Sequence, residues 1–186
     1  LANTSAIFAQ TILGLDKLPP LGADPRAALR GNVVHDIMRR FAEAFPDKLP
    51  PDAHDALMRI AREVLENYVR NPRVAAFWLT RFERYSQWFA ESEPGRRSNV
   101  QRVVPEVSGQ LVIPAPAGPF TLSARADRID LTERGMVITD YKTGSVPNDK
   151  QIAAGMKPQL PLEAAVALGD AGFAGVPRVP VAGLRY

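Results

Sequence analysis

Hydrophobic positions recur at helical spacing through the first half of the chain and alternate in short runs through the second. Over residues 31–45 the apolar side chains Val34, Ile37, Met38, Phe41 and Phe45 form a stripe that stops before Pro46, the pattern of an amphipathic helix. Residues 52–69 repeat it with Leu57, Ile60, Ala61, Val64, Leu65 and Tyr68. A third helix is expected over residues 72–91, with proline in its first turn, where a missing amide costs little. It carries Phe77, Trp78, Phe82, Tyr85, Trp88 and Phe89. Aromatic residues at that spacing read first as core, with base stacking as the alternative. Pro94-Gly95 is expected to end the helical lobe.

Beyond that point, residues 100–107, 109–113 and 120–126 are expected strands, with the proline-rich residues 114–119 as a loop. Residues 123–130 and 136–141 form a hairpin across the turn residues 132–135. Residues 150–168 become helical in their second half, because Pro158 and Pro161 are tolerable only near a helix start. A last strand is expected over residues 179–186. The chain thus reads as α/β, a single domain over residues 1–186. A helical lobe covers residues 1–95, and a sheet with a closing helix covers residues 96–186. A start without methionine and an end inside an expected strand point to a piece of something longer.

Composition removes several classes of chemistry. The absence of cysteine rules out disulfides, thiolate zinc sites, iron–sulfur clusters and a cysteine nucleophile. No apolar run approaches the roughly 18 residues of a membrane span, and no stretch has the layout of a signal peptide. A net charge of +3 suits a polyanionic partner. Arg70, Arg73, Arg81, Arg84, Arg96, Arg97 and Arg102 gather on and after the third helix, as a solvated face or as phosphate contacts.

The hairpin holds the candidate chemistry. Asp127 opens the Asp-Arg-Ile-Asp run that ends one strand, and Asp140-Tyr141-Lys142 ends the other, so two carboxylates and an amine meet at one sheet edge. Strand alternation points Asp140 and Lys142 the same way and Tyr141 the other way. Two aspartates and the carbonyl of Tyr141 are the oxygen donors a hard divalent cation takes. Lys142 is then placed to hold a water or to neutralise developing charge. Asp140 follows Val-Ile-Thr late in a buried-looking strand, where a lone charge costs several kcal/mol without a partner. Asp130, expected at the turn, reads as structural.

The runs Ala124-Arg125-Ala126-Asp127-Arg128-Ile129-Asp130 and Ile138-Thr139-Asp140-Tyr141-Lys142-Thr143-Gly144 resemble the signature of RecB-type nuclease domains in the PD-(D/E)xK superfamily. Gly31-Asn32-Val33-Val34-His35, with Phe41, resembles the family's Gly-x-x-x-His helix. Lys157-Pro158-Gln159-Leu160-Pro161-Leu162 resembles its glutamine-bearing closing helix. The resemblance implies a restriction-endonuclease-like mixed sheet flanked by helices, and a DNA nuclease dependent on Mg²⁺, with Mn²⁺ able to substitute. It implies His35, Asp127, Asp140 and the Tyr141 carbonyl as metal ligands, with Lys142, Asp127, Asp140 and Gln159 catalytic. Glu106 is expected as an outer carboxylate, and His54, without such company, at the surface.

Two departures stand out. The family's tyrosine a few residues after the glutamine is replaced here by Glu163 or Ala164, and the four cluster-binding cysteines of some relatives are missing. The opening Ala6-Ile7-Phe8-Ala9-Gln10, with Leu13-Gly14-Leu15, resembles the entry to the nuclease domain of the AddB subunit of bacterial AddAB helicase–nucleases. That likeness implies an AddA-type partner, DNA and no membrane, in the bacterial cytoplasm, serving double-strand break repair and recombination. The alternative is an inactive module that keeps the fold to bind DNA or brace the same complex. Decay of the site would mark it, yet His35, Asp127, Asp140, Lys142 and Gln159 are all present.

Overall fold

The helical stripes become three stacked helices in the computed structural model, which describes residues 25–186. The motif at residues 6–15 lies outside the described residues. Helices α1 (Pro25–Ala44), α2 (Ala53–Tyr68) and α3 (Pro72–Arg97) enclose one apolar cluster. In α1 the deepest positions are Val33, Ile37, Met38 and Phe41, while Val34 is half-buried, a slight rotation of the expected stripe. Phe41 meets Phe89 of α3 edge to face with ring centroids 5.4 Å apart, and burial of each such ring contributes roughly 1.5–3 kcal/mol. The aromatics of α3 divide: Phe82 and Phe89 enter the core, whereas Phe77 and Trp88 stay 57% and 46% exposed. His54 is half-buried rather than on the surface, because its Nδ1 lies 2.9 Å from Ser86 Oγ and ties α2 to α3.

Helix α3 runs through Pro94 and Gly95, where a stop was expected. A mid-helix proline loses one amide bond and crowds the preceding turn. Tertiary contacts to the last turn outweigh that cost. Arg97 Nε donates to Glu93 at 2.8 Å, one turn back, and Arg97 Nη1 donates to the Phe45 carbonyl at 2.5 Å. Both are charge-assisted bonds, the first of them buried, and such bonds are roughly twice as strong as neutral ones.

Strands β1 (Val100–Ile113), β2 (Phe120–Thr132), β3 (Gly135–Thr139), β4 (Gly172–Phe173) and β5 (Val181–Arg185) form one sheet in the order β4-β1-β2-β3-β5. All neighbours are antiparallel except β3 and β5. The two strands expected at residues 100–107 and 109–113 are one, continuous through Ser108 and Gly109. Glycine is needed there because a Cβ would lie 2.6 Å from the Gly172 carbonyl oxygen. Gly135 is constrained twice, by φ 127° and by Pro180, whose carbonyl accepts the Met136 amide at 2.8 Å and starts the parallel pairing.

Two further helices follow β3, the short α4 (Asp149–Ala153) and α5 (Gln159–Leu168). Helix α5 starts after Pro158, as expected, and packs Leu160, Val166 and Ala167 against Ile129, Ile138 and Phe173. On the other side, Tyr141 joins the helical cluster. Between helices and sheet, Arg128 meets Glu93 and Asp130, each at 2.5 Å, and Arg97 shares Glu93. Asp130 is structural as expected, but it sits buried within β2 rather than at the turn. Among the described residues no helix is long and apolar enough to cross a membrane.

Glu93→Ala leaves two buried guanidiniums without their shared carboxylate. It is expected to destabilise the fold by about 3–5 kcal/mol, read as a lower urea midpoint at unchanged slope. Glu133→Ala, in the exposed β2–β3 turn, should stay within about 0.5 kcal/mol of the parent.

Candidate active site

The register of the β2–β3 hairpin sets the geometry. Arg128 pairs with Thr139 and Ile129 with Ile138, so one more step places Asp127 opposite Asp140, on the same face. The Asp140 amide donates to the Arg185 carbonyl at 3.0 Å, which secures the strand end against β5. Asp127 Oδ2 accepts the Tyr141 amide at 2.8 Å, and its Oδ1 lies 3.1 Å from His35 Nδ1. The other ring nitrogen, Nε2, lies 2.9 Å from the Tyr141 carbonyl. Both neighbours are acceptors, so only an imidazolium satisfies both. Accordingly the Asp127 hydrogen bond raises the His35 pKa above its ordinary value, against burial, which lowers it.

Helix α1 delivers His35 to this edge by passing close to the hairpin end. One turn earlier, a Cβ on Gly31 would lie 3.7 Å from Thr143 Oγ1, ordinary contact that an alanine would fill. Strand alternation holds as expected. Lys142 Nζ lies 2.5 Å from Asp140 Oδ2, while the Tyr141 hydroxyl accepts from Arg128 Nη1 at 3.5 Å on the helical side. Gln159 closes a triangle: its Oε1 accepts from Lys142 at 2.8 Å and its Nε2 donates to Asp140 Oδ1 at 2.5 Å. Glu106 stands beside the cluster rather than in it. Turned by φ 41°, it pairs with Arg39 and Arg125, each at 3.1 Å.

Glu163, noted in the sequence only as a replacement for the family tyrosine, belongs to this cluster. It is buried one helical turn beyond Gln159, whose Nε2 donates to its Oε1 at 3.2 Å. The i,i+4 spacing on α5 was the signal that would have found it. Burial pushes its carboxyl up to about 7, and the charges of Asp140 and Asp127 add to the shift. Burial also raises Asp140, with the Lys142 hydrogen bond pulling it back.

These residues fit an oxygen-preferring divalent cation. Asp127, Asp140 and the Tyr141 carbonyl are hard donors. Asp140 Oδ2 and Glu163 Oε2 are buried without an aligned hydrogen bond, although the former sits at ion-pair distance from Lys142. Crowded carboxylates of this kind are stabilised by a shared cation. Among the described residues no three His, Asp or Glu side chains close a metal cage alone, so a backbone carbonyl and ligands from outside the chain would complete the coordination.

Without added divalent metal, Glu163 ionises near 4.5 when unfolded and near 7 when folded. The folded state then binds more protons within that window, and stability falls as pH rises through it. Between about pH 4.5 and about pH 8 the parent is expected to lose on the order of 2 kcal/mol more than Glu163→Gln. Urea melts at the two pH values measure this, and equal losses would contradict it.

Comparison with known proteins bears on the fold and family. The chain is 27% identical over 172 residues to an uncharacterized protein of Rickettsia bellii, covering 92% of this chain and 21% of that protein. It is 26% identical over 176 residues to uncharacterized proteins of Rickettsia conorii and Rickettsia typhi, at 92% of this chain and 21% and 20% of theirs. The chain thus spans about a fifth of the length of the curated relatives it matches. The family model described as the PD-(D/E)XK nuclease superfamily matches residues 6–186, nearly the whole chain, and the mixed sheet with flanking helices agrees with it. By this match the chain belongs to the PD-(D/E)XK nuclease superfamily.

Proposed function

We propose that the chain is a metal-dependent deoxyribonuclease that hydrolyses phosphodiester bonds as an exonuclease. On this proposal it is the nuclease domain of a longer AddB-type subunit. It would act with an AddA-type helicase–nuclease partner in double-strand break repair and recombination, in a bacterial cytoplasm. Family membership supports nuclease chemistry. The observation that carries the assignment to these residues is the Lys142–Gln159–Asp140 triangle, set beside the His35 bridge between Asp127 and the Tyr141 carbonyl.

Held by Asp127, Asp140 and the Tyr141 carbonyl, with His35 orienting these donors rather than binding the ion, Mg²⁺ or Mn²⁺ would supply positive charge to the scissile phosphate and the attacking water. Lys142 has three N–H donors. Gln159 takes one and Asp140 faces another, which leaves one for that water or for a phosphate oxygen as charge develops. Gln159 fixes the ammonium and the Asp140 carboxylate in one geometry, so neither reorganises during the reaction. His35 holds Asp127 and the backbone of residue 141 together in the same way. Arginines and the amides of the Gly144 loop would bind phosphates without regard to sequence, and such binding weakens steeply with salt.

Labelled single- and double-stranded DNA should be cut with Mg²⁺ or Mn²⁺ and left intact in EDTA. Lys142→Ala is expected to lower the rate roughly 10²–10³-fold, and Asp140→Ala to abolish cutting. Metal-dependent cleavage that survives both substitutions would sink the assignment. Intact DNA binding with no cutting by the parent under any divalent metal would favour the inactive DNA-binding module.

A further inference from the structure

The two aromatics left outside the helical core, Phe77 and Trp88, line a groove of about 800 Å³ bounded by α3, α1 and the sheet edge. Along α3, beside the core-facing Trp78 and Phe82, the lining includes Arg73, Phe77, Arg81, Tyr85, Trp88 and Arg96. Their spacing, mostly steps of four, keeps them on one side of the helix. At about 1.5 Å per residue the stripe is about 35 Å long. Its cations and rings are already paired. The Arg81 guanidinium lies over the Phe77 ring at 5.3 Å, and that of Arg96 over Trp88 at 4.6 Å. Lys142, Arg185 and Tyr186 line the groove from the sheet side, so it opens onto the Lys142 end of the candidate active site.

Charge is segregated here beyond what composition dictates. The chain has 20 acidic residues against 23 Lys and Arg, yet among the described residues no acidic side chain lines the groove. A partner must therefore bring regularly spaced negative charge and flat apolar surface together. Duplex DNA offers the charge but hides its base faces in the stack. A single strand exposes both, and rings interleaved with arginines are what it binds without sequence preference.

We propose that this groove binds single-stranded polynucleotide, with bases stacked on Phe77 and Trp88 and phosphates on Arg73, Arg81 and Arg96, and leads the strand to Lys142. The strand's destination rests on the nuclease reading above; the binding does not, because neither metal nor hydrolysis enters it. Helical spacing alone left these aromatics between core and stacking, and their exposure beside stacked guanidiniums separates the two roles.

The test is fluorescence anisotropy of the 186-residue chain in EDTA, with labelled oligo-dT and a duplex of equal length as probes. Oligo-dT should bind at least roughly tenfold more tightly than the duplex. The double variant Phe77→Ala, Trp88→Ala should lose at least about tenfold for oligo-dT, with little change for the duplex. The swap Phe77→Trp, Trp88→Phe, which keeps a ring at each position, should retain binding. Thermal melts matching the parent show that the losses are not unfolding. Oligo-dT affinity indifferent to both aromatics, or a duplex bound as tightly as oligo-dT, overturns the proposal. A chain that binds oligo-dT as described but never cuts overturns the nuclease reading and leaves the groove standing. One that cuts while ignoring both aromatics does the reverse.

Discussion

One residue of register in the β2–β3 hairpin decides whether there is a site at all. Side chains alternate across a strand, so a one-residue slip would exchange everything on the two faces. A slip of β2 would take Ile129 from the cluster under α5 and Arg128 from Glu93. Such a slip would bury a guanidinium among aliphatic side chains and set an isoleucine against a buried carboxylate, each costly without compensation. Buried ion pairs are weak contributors to net stability, but they punish the wrong arrangement severely. The network behind β2 acts as a register lock, and Asp127 opposite Asp140 is what the lock secures.

The modest net charge of +3 conceals two fields of opposite sign. Asp127, Asp140 and Glu163 form an acidic pocket in which burial and neighbouring carboxylates raise the pKa values of Asp140 and Glu163. A few residues away, arginines of α3 line a groove free of acids among the described residues. Lys142 stands at the boundary, bonded into the acidic pocket and exposed to the groove. A cation that is both pinned by carboxylates and open to a polyanion is suited to act where phosphate meets the acids.

Local pattern made the helices and the core hairpin legible. Three amphipathic stripes and one alternating pair needed only periodicity. Pro94 misled because one of the two Arg97 bonds that carry α3 past it reaches back to Phe45, far away in sequence. The reason for a glycine at 109 is not local either, because it is the approach of Gly172 from β4, a two-residue strand that exists only through its pairing. Within the site, Asp127, Asp140 and Lys142 followed from strand alternation. His35 and Gln159 came from family resemblance, since nothing local says that α1 and α5 meet at one sheet edge. Glu163 was within reach of helical spacing and was passed over. Periodicity told the angle at which Phe77 and Trp88 leave their helix, but not that the space beside them stays open.

Tyr141 carries two obligations on one residue. Its ring is embedded among the helices and meets Arg128, while its amide and carbonyl hold Asp127 and His35. Backbone atoms cannot be deleted by substitution, so the identity of residue 141 answers to the helical lobe and its position answers to the site. The residue is a lever with its fulcrum in the sheet. A shift of the helical lobe would therefore bear on the peptide between Asp140 and Lys142 through the packed Tyr141 ring.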